Sequence, residues 1–137
     1  MRTAIDSNIF AAIWSGAPSA RQLISQLGEA RLNGALLISP FVFAELHAYP
    51  GATEEFLNGF LAATGVQVDA KIEERVWGEA GRRFARYAAR RRQSSGAEPV
   101  GLLADFLIGT HALVQADRLF TLGPRRYIQD FPELRLL

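Results

Sequence analysis

The chain has 137 residues, 49% of them hydrophobic and 21% charged, with a formal net charge of +1; this is the profile of one globular domain, residues 1–137, with a sizeable core. It contains no cysteine, which excludes disulfides and thiolate metal sites and leaves the redox compartment open. Near-neutral charge gives no global signal for nucleic acid. The apolar runs are too short for a membrane span, and the opening MRTAIDSN meets an acid too early for a signal peptide, so a cytoplasmic protein with no membrane partner is expected.

Residues 3–5 read as a short buried strand closed by Asp6. Ser7 or Asn8 then caps a helix carrying Ile9, Phe10, Ile13 and Trp14, broken at Gly16-Ala17-Pro18. Ser19 caps a second helix that runs to Asn33-Gly34, and residues 35–38 form a second strand. Ser39-Pro40 is a strong helix start for the segment carrying Glu45. Thr53 opens a helix over 54–63, and residues 66–68 form a third strand. From Asp69 a long helix is expected to about Arg92, then a loop over 93–99 and a helix over 101–113. Residues 119–122 read as a fourth strand, Gly123-Pro124 as a turn and 134–137 as a candidate fifth strand. Short apolar strands alternating with helices predict an α/β domain on a mainly parallel sheet. In such sheets ligands collect beyond the carboxyl ends of the strands.

Three acids break apolar patterns near those ends. Asp105 shares a helical face with Ile108, Gly109 and Ala112; Glu45 has Phe41, Val42, Ala48 and Tyr49 as helical neighbours; Asp6 closes a buried strand. Each alone reads equally as a helix cap or an exposed acid. Together they offer three hard oxygen donors with no cysteine and two histidines, a set that suits Mg²⁺ or Mn²⁺ and not zinc.

The segments MRTAIDSNIF, SPFVFAELHA, LLADFLIGTHAL and RLFTLGPRRYIQDFPELRLL resemble the motifs of the PIN-domain family, and more narrowly those of VapC-type toxins of bacterial toxin–antitoxin pairs. The resemblance spans nearly the whole chain in the right order. It implies a PIN-like three-layer sandwich, with a mainly parallel four- to five-stranded sheet flanked by helices. It also implies a metal-dependent endoribonuclease that hydrolyses RNA phosphodiester bonds, is neutralised by a cognate antitoxin and is a homodimer. Asp6, Glu45 and Asp105 match the acidic catalytic positions that bind the metal. Ser7, Asn8 and Thr121 are expected to orient ligands and water. After the last main strand the family commonly reads Thr, any residue, Asp; this chain reads Thr121, Leu122, Gly123. Asp117 lies several residues upstream and Asp130 is remote, while Gly123 also reads as a left-handed turn residue. The alternative to the enzyme is therefore a catalytically impaired PIN-fold protein acting as an RNA- or antitoxin-binding module.

Only Lys71 is a lysine; the other positive charges are arginines, which favour forked contacts to phosphate. Arg83, Arg86 and Arg90 share a helical face beside Tyr87 in an acid-free stretch, a candidate track for an RNA backbone or simply a solvated helix face. Arg125 and Arg126 are candidates for holding the scissile phosphate, or for closing over the acids when an antitoxin docks. His47 and His111 read as ordinary surface or packing histidines, whereas Trp14 and Tyr49 are candidates for an interface or base stacking.

Overall fold

The computed structural model describes residues 1–95 and 103–137, with the side chain of Ser95 left out. Four strands, β1 (Thr3–Ile5), β2 (Leu36–Ile38), β3 (Val66–Val68) and β4 (Arg118–Phe120), pair in parallel in the order β3-β2-β1-β4. Every position of β1 and β2 is buried; strands covered on both faces read as unbroken apolar runs and do not alternate. The helices are α1 (Ser7–Trp14), α2 (Ala20–Leu32), α3 (Pro40–Leu46), α4 (Glu54–Thr64), α5 (Glu74–Ser95), α6 (Leu103–Gln115) and α7 (Arg125–Ile128). Ile5, Ile9, Phe10, Leu36, Ile38 and Leu119 form the centre of the core, between sheet and helices. Among the described residues no helix is long and apolar enough to cross a membrane.

The chain steps outward from β1 to β2 to β3, then returns to place β4 on the other side of β1. The β1–β4 pair is thus the point where the winding reverses, the place where such sheets commonly form a ligand crevice beyond the strand ends. Asp6 follows β1 and Thr121 follows β4, so both stand at that crevice, and the Asp6 N–H still bonds the Phe120 carbonyl at 2.9 Å.

Several boundaries differ from those expected. Helix α1 is capped by Asp6, whose carboxylate accepts from Ser7 N–H, and not by Ser7 or Asn8. Ser19 precedes α2 without a side-chain cap bond, whereas Ser39 and Thr53 cap α3 and α4 as expected. The long helix begins at Glu74 and not at Asp69. The Asp69 N–H bonds the Ile38 carbonyl at 2.8 Å, continuing the sheet pairing. Its carboxylate is taken by His111 and Gln115, both at 2.9 Å. Residues 93–95 of the expected loop continue α5, and 96–99, with 101–102 of the expected central helix, lie outside the described residues. The fifth strand reduces to a single parallel bridge, Leu119 to Leu136. The tail lies along β4, but Pro132 and a turn at 132–133 leave no run of extended residues before it.

Candidate active site

Asp6 is the hub. It is 2% exposed, and its two oxygens are fully directed. Oδ1 accepts from Ser7 N–H at 2.8 Å. Oδ2 accepts from the Thr121 hydroxyl at 2.8 Å, the Tyr127 hydroxyl at 2.9 Å and, more weakly, Asn8 Nδ2 at 3.4 Å. Thr121 Oγ1 accepts in turn from Gly123 N–H at 3.0 Å and Asn8 Nδ2 at 3.3 Å, and Asn8 Oδ1 accepts from Leu122 N–H at 3.1 Å. One carboxylate therefore ties the start of α1, the segment after β4 and α7 together. Ser7, Asn8 and Thr121 stand where the sequence reading expected supporting polar groups. Tyr127 was missed. It is wholly buried, and burial first, then the charge of Asp6, pushes its phenol far above the usual range, so it acts as a permanent donor. Its only signal in the sequence was a tyrosine between an Arg pair and an apolar Ile–Phe spacing in RRYIQDF.

Glu45 and Asp105 complete the rim. Helix α3 follows β2 and packs against both α1 and α6, which brings Glu45 within charge range of Asp6 and Asp105. Burial raises the Glu45 pKa most, the Ser7 hydroxyl bonded to it lowers it, and the charges of Asp6 and Asp105 raise it further. Asp105 is raised by burial first and then by Asp6, while Arg126 works in the opposite direction. It is not the N-cap of α6, because Leu103 and Ala104 precede it in the helix. Arg126 Nη1 lies 3.6 Å from Asp105 Oδ1. The three carboxylates thus feel one another's charge across a small gap. Among the described residues, no three Asp, Glu or His side chains converge tightly enough to grip an ion directly. The donor set nevertheless fits a hard divalent cation that keeps part of its water shell, as Mg²⁺ does. Asp6 Oδ1 accepts one hydrogen bond and retains a lone pair for it.

Other expected residues go elsewhere. Gly123 is not left-handed; the positive-φ glycines are 16, 34, 51 and 65. The expectation of a left-handed glycine is therefore corrected, though residues 123–126 do form a turn, and a Cβ at 123 would meet nothing closer than Arg126 Cδ at 3.4 Å. Asp117 accepts from Arg2 N–H at the start of β1, the opposite end from Asp6. The Asp130 carboxylate pairs with Arg90 at 2.6 Å. Neither replaces the fourth acid.

Arg83 is likewise corrected as an RNA contact. It is 7% exposed, pairs with Glu79 at 2.8 Å and Glu133 at 2.6 Å, donates to the Asp130 carbonyl at 2.8 Å and lies over the Phe131 ring. The face shared by Arg83, Arg86 and Arg90 is thus partly a packing face against the tail. Arg86, Arg125 and Arg126 are exposed, and Arg90 is half-buried. His111 is buried against Asp69, and burial lowers its pKa. His47 donates to the Phe43 carbonyl at 2.8 Å. Trp14 and Tyr49 meet edge to face with centroids 5.3 Å apart. With Ser7, Asn8 and Glu45 they line a cleft of about 210 Å³ beside the acids.

Parallel strands, flanking helices and an acid rim at the β1–β4 crevice define a PIN-like α/β domain. No family model matches the chain, and no curated protein matches it. Solved structures do. The chain is similar to one in the structure of VapBC-1 from nontypeable Haemophilus influenzae, with a TM-score of 0.69 and 23% identity, covering 100% of this chain and 97% of that one. It is also similar to one in VapBC2 from Rickettsia felis, solved bound to a DNA fragment from their promoter, with a TM-score of 0.65 and 21% identity, covering 100% and 98%. The fold of this chain, end to end, is the fold found in those VapBC structures.

Proposed function

We propose that this chain is a metal-dependent endoribonuclease toxin of VapC type, neutralised by a cognate antitoxin. The observation that carries the reading is the rim of Asp6, Glu45 and Asp105 at the winding reversal, on a fold shared along its whole length with VapBC structures. These three residues would hold Mg²⁺ or Mn²⁺. When bound, such an ion lowers the pKa of a water molecule and offsets charge on the phosphodiester under attack. Thr121, Tyr127 and Asn8 all donate to Oδ2 and keep Asp6 in one orientation, which leaves Oδ1, with its single hydrogen bond, as the oxygen for the ion. Ser7 donates its N–H to Asp6, and its side chain lies beside Glu45 and lowers that acid's pKa, so both acids border the first turn of α1. Arg126 at the rim and the exposed Arg86 and Arg125 supply positive charge for RNA phosphates. A homodimer in the cytoplasm belongs to the same reading.

A second reading has its own observation. With Gly123 in place of an acid and Arg126 against Asp105, the same fold can bind RNA or antitoxin without turnover. Cleavage of a mixed single-stranded RNA pool in Mg²⁺ and in Mn²⁺ separates them, with EDTA and Asp105→Asn as controls and Gly123→Asp alongside. Cleavage lost with EDTA and with Asp105→Asn supports a three-acid nuclease. Silence from the native chain with activity in Gly123→Asp supports the impaired module. Silence from both, with the fold intact by circular dichroism, overturns the enzyme reading.

A further inference from the structure

One guanidinium, that of Arg126, stands against Asp105 at the acid rim, and a turn at Gly123 brings its residue there. The Arg126 N–H bonds the Gly123 carbonyl at 3.1 Å, closing a turn that folds residue 126 back over residue 123. The direction in which a side chain at 123 would grow points at Arg126, with Cδ at 3.4 Å, Nε at 3.5 Å and Asn8 Nδ2 at 3.6 Å. The Arg126 stem passes beside that position, and its Nη1 lies 3.6 Å from Asp105 Oδ1. The place next to Asn8 that a carboxylate at 123 would enter is already bordered by a cation. Half of the Arg126 side chain remains exposed, 55%, while Asp105 is only 14% exposed. The arginine is therefore the partner of this pair that water already reaches, and the acid the more buried one.

The geometry points to Arg126 as a resident counter-ion at the rim that competes with a divalent cation for Asp105. This inference rests on the proposed metal-binding reading and goes beyond it. In the cation-free chain the arginine offsets part of the acid charge, so a cation that takes Asp105 must displace it. Entry of the cation requires the Asp105–Arg126 contact to open, and the released guanidinium then stands at the mouth of the crevice, where an RNA phosphate passes. Cation affinity and phosphate binding are thereby coupled through one side chain.

Mn²⁺ binding to the full chain, read by the electron paramagnetic resonance of free Mn²⁺ and by calorimetry without RNA, tests this directly. The wild type is expected to bind one Mn²⁺. Arg126→Gln is expected to bind it about tenfold more tightly, the scale for removing a unit charge beside a divalent ion at a half-exposed position. Arg126→Lys keeps the charge and is expected to stay within about threefold of the wild type. Wild-type binding with no gain in Arg126→Gln, or a tighter Arg126→Lys to match it, overturns the inference and leaves the metal reading standing. Binding by Arg126→Gln but not by the wild type supports it in its strongest form. Absence of Mn²⁺ binding in all three chains overturns the metal reading and the inference together.

Discussion

The hydroxyl of Tyr127 donates to Oδ2 of Asp6 across 2.9 Å, from a residue 121 positions away in the chain. Both residues are buried, and the acceptor is a carboxylate, so this is a charge-assisted bond in a dry setting. Tyr127→Phe keeps the ring in the core beside Phe131 and removes the donor alone. It is expected to cost about 1.5–3 kcal/mol of stability in urea unfolding. It is also expected to weaken Mn²⁺ binding, because Asp6 Oδ2 is then held by Thr121 and Asn8 only. Unchanged stability would show that Thr121 suffices.

The rim acids carry a stability cost at neutral pH. Glu45 and Asp105 both lie above their ordinary values of 4.5 and 3.8, chiefly through burial. A carboxylate raised in the folded state binds protons more readily folded than unfolded. Its favourable contribution is full below the ordinary value and is lost as pH rises through the folded pKa. At pH 7 Asp105→Asn is therefore expected to raise the thermal midpoint by a few degrees, the effect of about 1 kcal/mol in a domain of this size, and Glu45→Gln by less, because Glu45 is exposed and water screens its charge. Scans across pH should show that gain vanish within the acid carboxylate range, and RNA cleavage should be lost in both variants.

Arg83 and Arg86 should separate cleanly. Arg83 joins α5 to the tail, and it holds the pKa of Glu79 and of Glu133 below the usual value. Lowered carboxylates contribute stability present above their ordinary pKa and lost as pH falls through the folded value. Arg83→Met is expected to cost about 2–3 kcal/mol at pH 7, and less in acid. Arg86→Ala is expected to change stability by less than about 0.5 kcal/mol and to weaken RNA binding, with a shallower dependence on salt.

Two glycines predict opposite outcomes. A Cβ at Gly109 would lie 2.8 Å from the Phe131 ring, where helix α6 and the tail come closest. Gly109→Ala is expected to cost about 1–3 kcal/mol through overpacking. Gly123→Asp meets only ordinary contacts and no left-handed backbone, so its folding stability should stay within about 1 kcal/mol of the wild type. Equal losses in chemical denaturation would contradict this assignment of space.

Local features made much of the chain legible in its sequence. The apolar triplets of β1 and β2, the Ser39-Pro40 start of α3, the Thr53 cap and the Gly65 stop each depend on residues within a turn of one another. Asp6, Glu45 and Asp105 were visible because an acid in an apolar setting is costly and needs a reason. Tertiary structure decided what those residues meet. Asp69 looked like a helix start but is drawn to His111, 42 residues away. Arg83 looked like part of a phosphate track but is drawn to Glu133, 50 residues away. Tyr127 gave almost no signal and closes over Asp6. Periodicity and capping fix which face a side chain takes on its own element; they carry no information about which distant element will come to lie against that face. Only the order in which the parallel strands assemble settles that.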